Sequence, residues 1–517
     1  MKDNQSKNAA LTAELRERLN SLPRRDLRSL FDADPKRAER MSERLDFDLG
    51  EHGKVGMLVD LSKTHLDNEA LGLFEDLANA RDFDAARRAL FDGGIVNPTE
   101  NRPATHGAMR GSGTPADVEE AEALLSRMAL LVDAIHQGAL GEVKHLIHVG
   151  IGGSALGPAL AIDALTRDLA LVDVHVVSNI DGLALEQAFA KCDPATTMIA
   201  VASKTFTTTE TMTNAASALK WLEENGVFDP SGRVVALTAN PERAVEWGVD
   251  ETRILPFPSS VGGRYSLWSS IGFPIALAVG MDDFRAMLAG AKTMDTHFRE
   301  GEGRKNLPLL AAFADQYYAR VRGCQTRAVF AYDERLALLP DYLQQLEMES
   351  NGKSVTADGE PLDGPSAPIT WGGVGTDAQH AVFQLLHQGS HLIPVDFIAT
   401  IAPGDELDPA HHRSLLMNCL AQGAALMAGK SSDDPAREYE GNRPSTTFLL
   451  DDCDPMTFGA LIAFHEHRTF ANAVMMGINP FDQFGVELGK EIAKQIDSGS
   501  GEFDASTTRL MNAAGLS

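Results

Sequence analysis

One short segment of the sequence gathers groups of the kind that bind a phosphate. Residues 203–209, SKTFTTT, carry five hydroxyls and one ammonium and directly follow an apolar, β-rich run. A helix is predicted just after them, and the unpaired N–H groups and the dipole of a helix N-terminus favour an anion. Helix capping would explain one or two of these hydroxyls, whereas a phosphate dianion would use the whole set. The segment therefore predicts a phosphate site.

A glycine-rich loop follows an earlier strand-like run. Residues 150–155, GIGGSA, lie between the run HLIHV and a helical segment and satisfy the pattern GxGxxA. This is the pattern of a dinucleotide-binding loop, with Asp181 as a candidate for the acid that binds the ribose. A phosphate or other polar ligand, held at a helix N-terminus by backbone N–H groups that only glycines let approach, fits the same residues. Both ligands remain open at this point.

Candidate acid-base and charge-stabilising groups lie further along the chain. Arg264 follows a Gly-Gly pair, and a guanidinium that keeps its charge at any relevant pH can stabilise an oxyanion. Glu349, His380 and Lys490 are the separated acid-base candidates. From spacing alone, Arg264 is better explained by a structural ion pair. Each of the other three, taken alone, is typical of a surface charge or of a hydrogen-bonded histidine.

Motifs for a metal or for a serine nucleophile are missing. The four cysteines lie far apart in the sequence, at Cys192, Cys324, Cys419 and Cys453. They form no CxxC pair and have no neighbouring histidine at ligand spacing, which favours a reducing compartment. His387 and His391 are four residues apart, but a Gly-Ser between them interrupts the helix and no HExxH pattern is present. Because Ser154 does not stand in a GxSxG turn either, we expect neither a metal site nor serine hydrolase chemistry.

Alternating strand-like and helical runs must position these groups. Short β-rich runs near residues 145, 174, 197 and 234 are separated by helical segments, and after an apolar helix at 271–279 the alternation restarts near 328, 368, 392 and 446. This alternation is typical of parallel sheets built from βαβ units. Ligands of such sheets gather at the carboxyl ends of the strands, which is where the loops above are expected. The pattern predicts two parallel-sheet domains behind a helical segment that extends to about residue 90.

The composition limits the classes of partner. The chain has 517 residues, with 46 Lys and Arg against 73 Asp and Glu, and a formal charge of −27. Such an excess of negative charge repels nucleic acid and anionic membranes. The longest apolar run, 271–279, is far shorter than the ~18 residues of a membrane helix, and the N-terminus lacks a signal-peptide pattern. We therefore expect a soluble, cytoplasmic protein with neither nucleic acid nor membrane as partner.

Eight segments, taken in order, resemble the glucose-6-phosphate isomerase family, also called the phosphoglucose isomerase family. They are NPTENR at 97, HVGIGGSALGP at 148, VASKTFTTTETMTNA at 201, VGGRYSLWSSIG at 261, QQLEMESNGKS at 344, GTDAQHAVFQLLHQG at 375, IPVDFI at 393 and FDQFGVELGK at 481. The fourth and the eighth look like the two diagnostic signatures of that family. The resemblance covers most of the chain between residues 97 and 490.

The resemblance implies a reaction and a fold. The reaction is the reversible aldose-ketose isomerisation of glucose 6-phosphate and fructose 6-phosphate in glycolysis and gluconeogenesis, by ring opening and a cis-enediol intermediate, with no metal and no other cofactor. The fold is α/β, with two SIS-type three-layer αβα domains that have parallel sheets, plus helical N-terminal and C-terminal extensions. We place the boundaries at 1–108 for a helical N-terminal segment packing on the larger domain, 109–280 for the first, smaller domain, 281–480 for the second, larger domain and 481–517 for a C-terminal helical arm carrying Lys490.

The resemblance also implies a role for each candidate site residue. Glu349 is the base that moves a proton between the two carbons, and Arg264 stabilises the charge of the enediolate. His380 and Lys490 open the sugar ring. The remaining candidates bind the substrate, and they are Gly153, Ser154, Ser203, Lys204, Thr205, Thr208, Gln345 and Gln483. The glycine-rich loop is thereby reassigned from a dinucleotide to a sugar phosphate.

The expected partners are a small sugar phosphate and a second copy of the chain. Members of the family are dimers in which a histidine matching His380 enters the site of the neighbouring subunit. Two other classes of protein remain as alternatives. A non-catalytic sugar-phosphate sensor would have no need for Glu349, Arg264 and Lys490 together, and an NAD-dependent oxidoreductase rests on the GxGxxA pattern alone.

Overall fold

The computed structural model describes residues 2–48, 53–167 and 169–516, and for residues 2–9 it describes the backbone alone. Within them lie 11 strands and 19 α-helices. The strands are β1 (Ser42–Asp48), β2 (Lys54–Asp60), β3 (His145–Gly150), β4 (Asp173–Val177), β5 (Thr197–Ala202), β6 (Val234–Thr238), β7 (Ile254–Pro256), β8 (Thr326–Tyr332), β9 (Ile369–Val374), β10 (Val395–Thr400) and β11 (Ser445–Leu450). The helices are α1 (Lys2–Asn20), α2 (Leu27–Ala33), α3 (Arg37–Arg40), α4 (Asn68–Ala80), α5 (Phe83–Phe91), α6 (Pro115–His136), α7 (Leu156–Thr166), α8 (Gly182–Phe189), α9 (Thr209–Glu224), α10 (Pro241–Trp247), α11 (Phe273–Val279), α12 (Met281–Glu300), α13 (Leu307–Gln316), α14 (Leu339–Asn351), α15 (Asp377–Gln388), α16 (Pro409–Ala428), α17 (Pro455–Met476), α18 (Glu487–Ser498) and α19 (Ala505–Ala514).

A five-stranded sheet carries the two predicted ligand loops. Its strand order is β4-β3-β5-β6-β7, and every neighbouring pair is parallel. β5 reads TMIAVA and is buried at every position, as is typical of a parallel strand covered on both faces. Helices α8, α9 and α10 contribute to the apolar core that includes Ile147 and Val149. Strands near 145, 174, 197 and 234 were the prediction, and it is confirmed.

The second sheet has six strands in the order β1-β2-β11-β10-β8-β9. It is parallel from β11 to β9, whereas β2 pairs antiparallel with both β1 and β11. β1 and β2 lie in the segment that the sequence predicted to be helical, so that prediction was incomplete. The reason is visible in β1, whose sequence SERLDFD leaves most side chains at least partly exposed. Its strand conformation depends on pairing with β2, which local periodicity does not report.

Helix α17 runs through the core of the molecule. It is buried along almost its whole length, charged residues included. It packs against α12 so closely that a Cβ on Gly290 would collide with the Met456 carbonyl, and a Cβ on Gly459 would collide with the Met287 carbonyl. Glycine is needed at both positions because the two helix backbones touch there.

The chain divides into a first compact unit that ends at Pro480 and a second that begins at Phe481. Both sheets lie in the first unit, and α18 and α19 lie in the second. The α/β class with helical extensions is confirmed, and the domain boundaries at 108/109 and 280/281 stay predictions. Among the described residues, no helix combines the length and the apolar character needed to cross a membrane.

Candidate active site

The two predicted ligand loops leave neighbouring strands at the same edge of the five-stranded sheet. β3 and β5 are parallel and in register, with Gly150 opposite Ala202. The glycine-rich loop 150–155 and the hydroxyl-rich segment 203–209 therefore begin side by side at the carboxyl ends of their strands. This is the edge at which an open parallel sheet places its ligand.

Four of the five hydroxyls of segment 203–209 bond to one another rather than to a helix end. Ser203 Oγ lies 3.1 Å from Thr208 Oγ1 and accepts a hydrogen bond from the backbone N–H of Phe206 at 3.1 Å. Thr205 Oγ1 lies 2.7 Å from Thr207 Oγ1. Thr208 is the N-cap residue of α9, yet its side chain makes no capping hydrogen bond. Capping therefore does not explain these hydroxyls, and the phosphate interpretation is the better one.

Lys204 is held by backbone carbonyls beside the hydroxyls. Its Nζ donates to the carbonyl oxygens of Ser259 at 2.6 Å and of Val261 at 2.9 Å. Burial, together with the positive charges of Arg102 and Arg264, lowers the pKa of Lys204 to about 8. The approach of a phosphate dianion would reverse this cost, since an opposite charge favours the ammonium form.

The glycine-rich loop packs backbone against backbone on the segment that carries Arg264. A Cβ on Gly153 would overlap the backbone of Gly263, so only glycine fits there. A side chain of β3, His148, also holds the loop, because its Nε2 lies 2.7 Å from the carbonyl oxygen of Ser154. Because burial lowers the pKa of His148 to about 4, the ring is neutral and Nε2–H is the donor.

Asp181, the acidic residue that a dinucleotide site would need, has another role in the structure. Asp181 is the N-cap of α8, and its carboxylate accepts a hydrogen bond from the backbone N–H of Leu183 at 3.1 Å. A carboxylate engaged at a helix start is explained without a ribose. The GxGxxA pattern is then left without the second feature on which a dinucleotide site depends.

Glu349 lies between a guanidinium and an amide. Arg264 donates from one terminal nitrogen to Glu349 Oε1 at 3.0 Å, and Gln345 Nε2 donates to Oε2 at 2.7 Å. The Glu349 side chain is 20% exposed, while that of Arg264 is 1% exposed. Each carboxylate oxygen thus keeps acceptor capacity on a surface that a small molecule can reach. Gln345 also borders the glycine-rich loop, because a Cβ on Gly152 would lie 3.0 Å from its Nε2.

Residues missed by the sequence reasoning hold Arg264 in place. The Arg264 Nε donates to Ser350 Oγ at 2.6 Å, and its other terminal nitrogen donates to the carbonyl oxygen of Pro480. The hydroxyl of Tyr265 lies 2.9 Å from the same Ser350 oxygen. Burial raises the pKa of Tyr265 to about 12, so this hydroxyl stays protonated. The available signal was position, because Tyr265 and Ser350 directly follow the two site residues in the matched segments.

Three other predicted site residues take no part in the contacts described above. His380 is an exposed residue of α15 and makes no hydrogen bond or ion pair with any residue that the structure describes. Gln483 and Lys490 belong to the second unit, Lys490 in α18. The first unit therefore assembles the carboxylate, the guanidinium, the amide and the loops around them. The roles of His380, Gln483 and Lys490 stay predictions.

The assembled groups suit proton transfer on a small anion. A carboxylate held by two donors can take a proton from a carbon next to a carbonyl and return it nearby. A fixed guanidinium can stabilise the oxyanion that develops, because it needs no reorganisation during the reaction. An ammonium and several hydroxyls at the adjoining strand end can hold a remote phosphate, whose binding energy then orients the reacting carbons.

Comparison with known proteins agrees with this chemistry. A family model described as phosphoglucose isomerase matches residues 60–511. The chain is 71% identical over 505 residues to the glucose-6-phosphate isomerase of Erythrobacter litoralis, covering 96% of this chain and 98% of that protein. It is 62% identical over 457 residues to the glucose-6-phosphate isomerase of Zymomonas mobilis, covering 88% and 90%. The crystal structure of a glucose-6-phosphate isomerase from Chlamydia trachomatis superimposes with a TM-score of 0.87 at 29% identity, covering 98% of each chain. The chain belongs to the phosphoglucose isomerase family.

Proposed function

We propose that this protein catalyses the reversible isomerisation of glucose 6-phosphate and fructose 6-phosphate. The observation that carries the proposal is the Glu349 carboxylate, which is held by Arg264 and Gln345 and remains partly exposed. Family membership and relatives that bear this enzyme name support the substrate pair. The reaction places the protein in glycolysis and gluconeogenesis.

Glu349 moves the proton. In the open-chain aldose, its carboxylate removes the hydrogen from C2 as a proton, and the C–H electron pair forms the double bond of a cis-enediolate. The charge that passes to O1 is stabilised by Arg264. A proton then passes from the C2 hydroxyl to O1, the protonated Glu349 returns its proton to C1, and O2 becomes the carbonyl oxygen of the ketose. One base serves both carbons because they are adjacent on the same face of a planar intermediate.

His380 and Lys490 open the sugar ring before this step. Ring opening needs a base for the anomeric hydroxyl and an acid for the ring oxygen. Both residues fall in segments that match the family, GTDAQHAVFQLLHQG and FDQFGVELGK. Gln483, in the second of these segments, and Gln345 contact the sugar hydroxyls.

The phosphate is held at the end remote from the reacting carbons. Lys204 supplies the charge, while Ser203, Thr205 and Thr208 supply hydroxyls, with Ser154 and the backbone at Gly153 on the neighbouring loop. The clustering of these hydroxyls and the lowered pKa of Lys204 support this role, because a dianion would accept hydrogen bonds from the hydroxyls and favour the ammonium form of the lysine.

Turnover in the presence of EDTA tests the proposed activity. Purified protein is given fructose 6-phosphate, and glucose 6-phosphate is measured through a coupled dehydrogenase. We expect rapid turnover by the wild type and by Asp341→Asn, which changes an exposed carboxylate on the same helix, and a loss of about 10³-fold or more in Glu349→Gln. Absence of wild-type turnover, with fructose 6-phosphate still protecting the protein from thermal unfolding, would support the sugar-phosphate sensor instead.

We also propose a homodimer in which His380 completes the site of the other subunit. The exposure of His380 and the absence of a described partner for it support this arrangement. Mixing subunits that carry His380→Ala with subunits that carry Glu349→Gln tests it. A mixed dimer would have one site with both native groups, so activity should return although each variant alone is inactive. Continued inactivity in proven mixed dimers would place both groups in one subunit.

A further inference from the structure

Two histidines and a cysteine meet at the edge of the five-stranded sheet opposite to the ligand loops. His145 is the first residue of β3, and the parallel register pairs it with Asp173 and pairs Ile147 with His175. His145 and His175 therefore lie on the same face of adjacent strands. Cys192 lies in the connection between α8 and β5. One ring nitrogen of each histidine and the Cys192 Sγ all lie within 4.8 Å of one another.

The two imidazoles carry nitrogen atoms that the protein does not use. His145 Nδ1 and His175 Nε2 are buried and have no hydrogen-bond partner among the described residues. A buried polar atom that lacks a partner costs free energy unless water or a ligand satisfies it. The rings are neighbours, with centroids 5.9 Å apart and planes inclined by 32°. Neither residue takes part in the proposed isomerisation.

We propose that His145, His175 and Cys192 form a binding site for Zn²⁺ or a chemically similar transition-metal ion. Two imidazole nitrogens and one sulfur bind such borderline-soft cations in preference to Mg²⁺ or Ca²⁺, which take oxygen ligands. Asp173 supplies a nearby carboxylate, with one oxygen 3.8 Å from His145 Nδ1. The fourth position of a tetrahedral ion can be taken by this carboxylate or by water.

The geometry needs only a small closure. Bonds of about 2.0 Å to nitrogen and about 2.3 Å to sulfur place these three ligand atoms of a tetrahedral Zn²⁺ roughly 3.3 to 3.6 Å apart. The present spacing of up to 4.8 Å exceeds this by about 1.2 to 1.5 Å, which side-chain rotation on fixed strands can supply. Both histidines are anchored by the ladder between β3 and β4, so the sheet register sets the backbone positions from which their rings project.

Charged and titratable groups near the three ligands affect how strongly they would bind a cation. Burial, His145 and the ammonium of Lys191 lower the pKa of His175; the Lys191 charge opposes a bound cation, whereas Asp173 favours one. Burial raises the pKa of the Cys192 thiol to about 11. Cys192 therefore enters as a thiol and loses its proton to solvent as the sulfur-metal bond forms.

The ion would act on stability rather than on catalysis. It would join β3, β4 and the connection into β5 at the edge away from the segments that hold the substrate. A ligand that binds the folded chain and not the unfolded chain raises stability by mass action. We therefore expect the ion to raise the thermal midpoint while leaving isomerase turnover unchanged.

Titration of the full-length, chelator-treated protein with Zn²⁺ and with Co²⁺ tests the site. We expect one ion per chain, with the thiolate-to-Co²⁺ charge-transfer absorption that only sulfur ligation gives. Cys192→Ser and His175→Asn should each weaken binding by about tenfold or more and abolish that band or reduce it. Cys324→Ser, which changes a buried cysteine elsewhere, is the matched control and should bind as the wild type does.

Wild-type protein alone also gives a decisive result. Zn²⁺ should protect Cys192 from alkylation, as read by mass spectrometry, and should protect it equally in the presence of fructose 6-phosphate. This measurement needs no variant, so misfolding of a variant cannot obscure it. Failure of the wild type to bind one ion, absence of protection at Cys192, or unchanged binding by both variants would overturn the site.

Discussion

Two arginine-carboxylate groups in the first unit have the same kinds of side chain but serve different purposes. In the core, Arg468 makes two hydrogen bonds of 2.7 Å to Asp315 and one of 2.6 Å to Asp396. Arg327 and Asn472 also donate to Asp315. These side chains are almost completely buried. The positive charges of Arg468 and Arg327 hold the pKa of Asp315 well below its usual range.

The pair at the candidate active site is built differently. Glu349 receives one nitrogen of Arg264 rather than two, and its carboxylate stays partly exposed. Its second oxygen is held by a neutral amide, Gln345. In the core group the carboxylate oxygens accept hydrogen bonds from other side chains of the protein, whereas the Glu349 carboxylate can still accept a proton from a substrate. The contrast separates a carboxylate that holds the fold together from one that is available for chemistry.

Of these variants, Glu349→Gln should have the largest effect, and the effect should be on kcat and not on stability. Losing the group proposed to carry the proton between C2 and C1 should lower kcat by about 10³ to 10⁴, at the upper end for general acid-base groups. The free energy of unfolding should change by less than about 1 kcal/mol, as is usual for a partly exposed residue. Steady-state kinetics and urea unfolding on the same preparation check both parts. A kcat within tenfold of the wild type would remove Glu349 from the role of base.

Arg468→Met should show the reverse behaviour. Removing Arg468 leaves two buried carboxylates, Asp315 and Asp396, with Arg327 as their one remaining arginine among the described residues, at a cost of about 3 to 5 kcal/mol in the free energy of unfolding. Urea unfolding measures this cost, and kcat per folded molecule should stay close to that of the wild type. The control is Arg167→Met, which breaks a partly exposed pair with Asp163 and should cost about 1 kcal/mol or less. Equal costs for the two variants would erase the distinction drawn here.

Lys204→Ala should affect binding more than turnover. A hydrogen bond to a charged group contributes about 1.5 to 3 kcal/mol, so KM for fructose 6-phosphate should rise by roughly 10- to 150-fold. kcat should change little, because the phosphate is remote from the reacting carbons. Lys220→Ala, an exposed lysine on α9, is the matched control. An unchanged KM in Lys204→Ala would count against the phosphate site.

A smaller effect should appear in the pH dependence of KM. Lys204 has a pKa lowered to about 8, so its ammonium charge is present at neutral pH and is lost as pH rises through that value. The substrate phosphate is already a dianion there, since its second pKa is about 6. KM should therefore rise from pH 7.5 to pH 9 in the wild type. In Lys204→Ala the same interval should be flat, and a parallel rise in both proteins would assign the titration to another group.

The predictable parts of this protein are those that local sequence encodes. The strands of the five-stranded sheet are apolar runs between helical segments, so TMIAVA and HLIHV could be placed without a structure. The hydroxyl-rich segment and the glycine-rich loop were recognisable because their chemistry lies in consecutive residues. The acid-base residues needed the family resemblance, since Glu349 by itself looks like any helical glutamate.

The parts that could not be predicted depend on contacts between distant segments. Ser350 acquires its role only because Arg264, 86 residues earlier, reaches it. The cluster of His145, His175 and Cys192 is invisible in linear spacing because strand register creates it. β1 becomes a strand by pairing with β2, despite a charged sequence. Such features follow from tertiary packing, which overrides local pattern.

The fate of a label on C2 tests the central claim most directly. Glucose 6-phosphate deuterated at C2 is converted in ordinary water, and the product is examined for deuterium at C1 and for deuterium lost to solvent. If Glu349 carries the proton, the wild type will deliver part of the label to C1 and exchange the rest. Glu349→Gln, still protected from unfolding by the sugar phosphate, will do neither. Label that leaves C2 in Glu349→Gln at a rate near that of the wild type would contradict the account.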